Sequence, residues 1–197
     1  MFITFEGIDG SGKTTQIQKL KKYLEDKGQD VLLIREPGGT DFSEKMRDLL
    51  LDVNNDINSV SELFLFECAR ADLTQKKIIP ALEQGKHVIC DRFFDSTSAY
   101  QGYGRGLDLD KIFIAHKLAT YNIEPDLTFY LRVQLSTSEL RNAEKRKDRM
   151  ESAGKEFFQK VINGFDDLAD RFPGRIKVIN GELDPEKVFE KVISYLS

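Results

Sequence analysis

The chain has no tryptophan and only two cysteines, two histidines and five prolines among its 197 residues. Cys68 and Cys90 lie in separate apolar stretches without a CxxC spacing. That argues against a disulfide framework or a cysteine metal site and points to a reduced compartment. His87 and His116 show no partner pattern and read as structural. No apolar run approaches the roughly 20 residues that cross a bilayer, and the first residues read as a strand rather than a leader. A soluble, cytoplasmic protein without a membrane partner is the expectation. A basic excess is missing too: the net charge is −4 with 31% charged residues, unlike a general nucleic-acid binder. Basic groups that matter must gather locally around a small anionic ligand. Without repeats or a Pro-, Gly- or Ser-rich linker, residues 1–197 fit one domain with one core.

What is present begins at residue 7. Gly7-Ile8-Asp9-Gly10-Ser11-Gly12-Lys13-Thr14 spells a phosphate-binding loop. The run before it, residues 2–5, is β-branched and aromatic. After it, Ile17, Leu20 and Leu24 recur at helical spacing. Strand, glycine turn and helix start together aim backbone N–H groups and a helix dipole at one anionic point. Glycine lets the backbone approach the phosphates closely. Lys13 can reach the β and γ oxygens, and the Thr14 hydroxyl can ligate Mg²⁺. The pattern predicts binding of a nucleoside triphosphate.

Apolar runs at 31–34, 87–90, 127–131 and 175–179 alternate with helical patterns at 43–51, 59–72, 75–83, 110–120, 136–147, 155–172 and 185–196. Unbroken apolar runs suit strands covered on both faces. The expected fold is a doubly wound α/β domain, a P-loop NTPase-like parallel sheet of about five strands with helices on both faces. Ser43, Ser59, Ser136 and Asp184 are the predicted N-caps.

Other candidates carry two readings each. Asp91, at the tip of a strand, can serve the Mg²⁺ shell or can cap a turn; Arg92 beside it can clamp a phosphate. Phe66 and Arg70, four apart on a helix, can stack on and hydrogen-bond a base, or can be a core phenylalanine beside a surface arginine. Residues 96–106, with three glycines among aromatic and basic residues, read as a ligand-facing loop. The charged stretch 141–155 is either a solvated surface or a mobile lid carrying Arg146 and Arg149.

The segments FEGIDGSGKTTQ, REPGGT, LFLFECAR, DRFFDSTSAYQGYGRGL, EPDLTFYL and KDRME resemble, in order and spacing, the bacterial-type thymidylate kinases over nearly the whole chain. The resemblance implies transfer of the γ-phosphoryl of ATP to dTMP, with Mg²⁺, in a homodimer. It implies that Phe66 stacks on thymine, Arg70 bonds its carbonyl edge, and Thr97 and Gln101 line the remainder. Tyr100 would lie under the sugar and exclude a 2′-hydroxyl. Arg47 and Arg92 would grip the acceptor phosphate, with Arg35 and Glu36 organising that wall and Asp9 close by. No arginine stands between Gly7 and Thr14, so the lid supplies one: Arg149 fits best, with Arg146 and Arg141 competing. Phe93, Met150 and Phe165 depart from common family residues without removing a needed group. The alternatives are a kinase for another (deoxy)nucleotide, or a P-loop module that binds ATP without phosphorylating a small molecule. No NKxD element is present to read guanine.

Overall fold

The computed structural model describes residues 1–143 and 148–196. Its centre is a five-stranded, all-parallel sheet of β1 (Phe2–Glu6), β2 (Val31–Arg35), β3 (His87–Asp91), β4 (Leu127–Arg132) and β5 (Ile176–Asn180). The spatial order is β2-β3-β1-β4-β5. Connections from β1 and β3 leave to opposite sides of the sheet, which opens a crevice at the carboxyl ends of the central strands. The register Phe5↔Asp91 sets the tips of β1 and β3 level, so the phosphate loop and Asp91-Arg92 face one crevice.

The central strands are the apolar runs the sequence marks. Ile3, Phe5, Ile89, Phe129 and Leu131 pack with α1 (Lys13–Asp26) and α9 (Pro185–Ser194). Each such side chain contributes about 1.5–3 kcal/mol by leaving water. On the other face α8 (Lys155–Arg171) buries Val161, Phe165 and Leu168 against Tyr100 and Tyr130. Both edges are less covered: Val31, Leu32 and Leu33 are half-buried, and Val178 is exposed.

Helix starts differ from the expected caps. α2 (Asp41–Leu51) is capped by Thr40, which accepts from the Ser43 N–H, and Ser43 lies buried inside the helix. α3 (Ser59–Leu73) is capped by Asn58, not Ser59. α7 (Leu135–Arg141) begins without a side-chain cap, so Ser136 plays no such part. Asp184 caps α9 as expected, ahead of Pro185. The helix expected from residue 110 begins after Asp108, which caps α6 (Leu109–Ala119).

α3 runs without a break into a π-helical turn, Thr74–Ile78, and then α4 (Ile79–Glu83). Pro80 has no N–H to give and would crowd a regular turn, and the wider turn before it accommodates that. The second π segment corrects an expectation. Residues 96–106 are not a loop: α5 (Phe94–Thr97) continues into a π-helical stretch, Ser98–Gly104, that is largely buried. Its glycines serve contact rather than turning. A Cβ on Gly104 would stand 2.6 Å from Phe157 of α8, and one on Gly164 of α8 would stand 2.6 Å from Tyr103. Among the described residues no helix is long and apolar enough to cross a membrane.

Candidate active site

The phosphate loop closes on itself. Gly7, Gly10 and Gly12 have positive φ, and a Cβ on Gly10 would meet the Asn142 amide at 2.7 Å. Lys13 is buried and donates to the carbonyls of Gly7 (2.9 Å) and Ile8 (3.1 Å). Burial, then the neighbouring Arg92 charge, holds the Lys13 ammonium down to about 8. An incoming polyphosphate would favour its charged form. Gly7 and Ile8, expected to touch the nucleotide, hold Lys13 through their carbonyls; they do not line the cavity over the loop, and Ile8 is a core residue.

A cavity of about 510 Å³ lies over the loop, lined by Asp9 to Gln16 with Arg35, Arg47, Asp91 and Arg92. Its far wall is Arg141, a lid candidate, and Asn142 from α7, then Gly181, Leu183, Pro185 and Val188 beyond β5, which no motif in the sequence marks. Arg141 donates to the carbonyls of Gly10 (2.9 Å) and Gly181 (3.2 Å). Thr14 and Asp91 both line this cavity, and the buried Asp91 Oδ1 has no hydrogen-bond partner among the described residues. A hydroxyl and an unengaged carboxylate oxygen beside a phosphate site are hard donors that fit Mg²⁺. Among the described residues no group of three His, Cys, Asp or Glu side chains could hold a metal, so phosphate oxygens would complete such a shell.

A second, smaller cavity of about 110 Å³ adjoins the first. Asp9, Glu36, Arg47 and Arg92 line both. The smaller one also has Phe66, Arg70, Thr97, Tyr100 and Gln101 on its walls, bringing together nearly all residues expected around an acceptor base and sugar. Arg35 is the exception, since it faces the larger cavity and is held by Glu44 (3.0 Å) and the Pro37 carbonyl (3.0 Å). Pro37 also accepts from Arg47 (3.0 Å), which sets Arg47 on the wall between the cavities.

Arg92 joins the two. It follows β3 with φ +66°, a costly conformation for a residue with a side chain, and strain of this kind collects at functional positions. Its guanidinium donates to the Gly7 carbonyl (2.8 Å), Ser96 Oγ (3.2 Å) and Asp9 Oδ1 (2.8 Å), and lies 5.4 Å over the Tyr100 ring. Glu6 at the end of β1 accepts from the Phe93 N–H (2.7 Å) and from Ser96, pinning the turn that carries Arg92. Burial, then nearby Asp95, pushes the Glu6 carboxyl up. Nothing in the sequence marks this support, because Glu6 reads as the loop's flank.

The Phe66–Arg70 pair reverses the bland reading. Arg70 is 1% exposed while Phe66 is half-buried on the cavity wall. Arg70 donates to Glu36 (2.9 Å), Glu67 (2.7 Å) and Thr97 (2.9 Å). Glu67 in turn meets His116 Nδ1 (2.8 Å), whose Nε2 meets Ser98 (2.9 Å). This chain of polar groups is buried and holds Arg70 rigidly, giving His116 the structural part expected of it.

Two of the three arginines expected in a lid lie among the described residues. Arg149 is not at the phosphate loop: it donates to the Leu50 carbonyl (2.7 Å) and pairs with Glu62 (2.6 Å) behind the smaller cavity. A buried carboxylate outcompetes the open cavity for its guanidinium. Arg141, the competing candidate, faces the larger cavity instead. Arg146 lies outside the described residues.

A family model described as thymidylate kinase matches residues 5–192. A thymidylate kinase of Chlorobaculum parvum is 48% identical over 206 aligned positions, spanning 100% of this chain and 95% of the relative. One from Thermoanaerobacter sp. is 45% identical over 192 positions, spanning 98% and 95%. A crystal structure of thymidylate kinase from Ehrlichia chaffeensis superposes with a TM-score of 0.83 at 41% identity, covering 100% of this chain and 98% of that one.

Proposed function

The chain belongs to the thymidylate kinase family, and from that premise we propose that it transfers the γ-phosphoryl of ATP to dTMP, giving dTDP and ADP. One observation carries the reading: the phosphate-loop cavity and a second, aromatic- and arginine-lined cavity meet at Arg92 and Asp9. ATP occupies the larger, with its phosphates on residues 10–14 and its base toward Leu183, Pro185 and Val188. dTMP occupies the smaller, with its base against Phe66 and Arg70 and its sugar over Tyr100.

The acceptor phosphate is already a nucleophile at neutral pH, its second pKa being about 6, so no general base is assigned. The barrier lies in bringing two anions into line. Arg47 and Arg92 hold the acceptor phosphate, Lys13 leaves its own loop's carbonyls for the donor, and Asp9 fixes Arg92. Thr14 and Asp91 would hold Mg²⁺, which would neutralise charge on the donor phosphates. The domain spans residues 1–197, and residues 141–155, of which 144–147 lie outside the described residues, act as a lid that excludes water. Support comes from two arginines of that segment: Arg141 touches the phosphate loop and Arg149 pairs with Glu62 behind the smaller cavity. Arg141, rather than Arg149, is then the lid arginine we expect to meet phosphate.

A homodimer is supported by an apolar face on adjacent helices. Val60 (50% exposed) and Phe64 (62%) of α3 sit beside Ile114 (70%) and Leu118 (81%) of α6. Leu63 is buried and Leu65 and Phe66 are half-buried, so they add little to this face. Both cysteines are free, and Cys68 is exposed, which supports a reducing, cytoplasmic setting.

The test is a product assay with ATP, Mg²⁺ and a panel of nucleoside monophosphates. The expected result is dTDP and ADP in equal amounts, with dUMP weaker and purines poor. Tight ATP binding with no acceptor phosphorylated would place the chain among ATP-sensing modules instead.

A further inference from the structure

Glu62 is a fully buried carboxylate on α3, and it is not on the wall of either cavity. Its Oε1 accepts from Gln101 Nε2 (2.8 Å) and Arg105 Nε (3.1 Å); its Oε2 accepts from Arg105 Nη2 (3.2 Å) and pairs with Arg149 Nη2 (2.6 Å). Burial pushes this carboxyl up, but the bonds from Arg105, Gln101 and Arg149 outweigh that and hold it below the usual range. An ionised carboxylate accepts hydrogen bonds and cannot donate one.

That fixes the neighbour. Gln101 must turn its NH₂ toward Glu62, because the opposite orientation would face an amide oxygen to a buried anion. Its Oε1 is then directed away from Glu62, and among the described residues nothing donates to it. Gln101 lines the smaller cavity beside Phe66 and Arg70. The cavity therefore offers one fixed acceptor, Gln101 Oε1, and one fixed donor, the Arg70 guanidinium. A pyrimidine imide, with N3–H next to a carbonyl, complements that pair. An amino-pyrimidine such as cytosine, with a lone pair at N3 and an exocyclic NH₂, opposes it at both atoms.

We propose that Glu62, out of reach of the substrate, is a specificity-determining positioning residue that locks the Gln101 amide as an acceptor and so selects imide over amino pyrimidines. The proposal rests on the dTMP kinase reading above and deepens it. With Glu62→Gln the residue at 62 can donate as well as accept, so the Gln101 amide is free to flip and present its NH₂ to a cytosine N3. Sites built around fixed polar groups reject mismatched analogues by about 10⁴-fold or more, and releasing one such group should recover a large part of that.

The test compares kcat/KM for dTMP and dCMP in the wild-type chain, Glu62→Gln and Gln101→Met. The last variant keeps the Glu62 pairs to Arg105 and Arg149, so it guards against a folding defect in the first. The dTMP-to-dCMP ratio should fall at least about tenfold in both variants, with KM for dTMP rising more than kcat falls. A role confined to stability would lower both substrates alike and leave the ratio unmoved, which overturns the proposal. So does a wild-type ratio in Gln101→Met. A wild-type chain inactive on dTMP would instead overturn the kinase reading itself.

Discussion

Replacing Arg92 by methionine removes a charge and a hydrogen-bonding fork while keeping the length of the side chain. In the account above, Arg92 holds the acceptor phosphate as it attacks the γ-phosphoryl group. A unit charge about 4 Å from it, at an effective dielectric of about 20, is worth about 4 kcal/mol. Lost entirely from the transition state, that is about a thousandfold in kcat, the lower end of the effects ascribed to arginines in phosphoryl transfer. The folded state should barely notice. Asp9 and Arg92 are 39% and 18% exposed, and an ion pair so placed contributes at most about 1 kcal/mol. The Gly7 carbonyl keeps its bond from Lys13 at 2.9 Å, so no buried acceptor is stranded. Methionine adopts φ +66° at the same cost as arginine, so no new backbone strain appears. The expected outcome is kcat down about a thousandfold in a coupled ADP-release assay, with Tm moved by no more than about 4 °C. A kcat within tenfold of wild type would refute the role given to Arg92. A collapse in Tm would show that it is a structural residue whose loss mimics a catalytic one.

Two other perturbations separate roles that sequence alone runs together. Arg149→Ala should raise KM for dTMP more than it lowers kcat, because Arg149 braces Glu62 and the acceptor wall; this reverses the split expected if Arg149 were the catalytic lid arginine, and a kcat loss at unchanged KM would restore that assignment. Phe64→Glu should shift the chain from dimer to monomer in light scattering, since it places a charge in the exposed apolar face of α3; a dimer that survives would move the interface elsewhere.

The sheet was legible because its central strands are unbroken apolar runs, and the phosphate loop because glycine spacing, strand and helix coincide. The caps were misread by one to three residues at Ser43 and Ser59, because Thr40 and Asn58 offer equally good oxygens nearby. The segment 96–106 looked like a loop since glycine is rare in helices. What the sequence hides is that Gly104 and Gly164 let two helices touch where any side chain would collide. The direction of an arginine was least legible of all. Arg70 points inward because Glu36 from the end of β2 and Thr97 of α5 meet it beside Glu67 of its own helix, and the fold makes the first two contacts. Arg149 is captured in the same way by Glu62, which no local pattern couples to it. The far wall of the donor cavity was missed because residues 181–188 lie beyond the last strand, distant from every motif.

The central claim is that two pockets in one cleft present two nucleotides to each other across Arg92. A single molecule with thymidine and adenosine joined 5′ to 5′ through a polyphosphate chain spans both. Titration calorimetry should find one bound per chain, at least about a hundredfold tighter than dTMP, as tethering predicts, and displaced by ATP and by dTMP alike. Binding no tighter than ATP and indifferent to dTMP would contradict it.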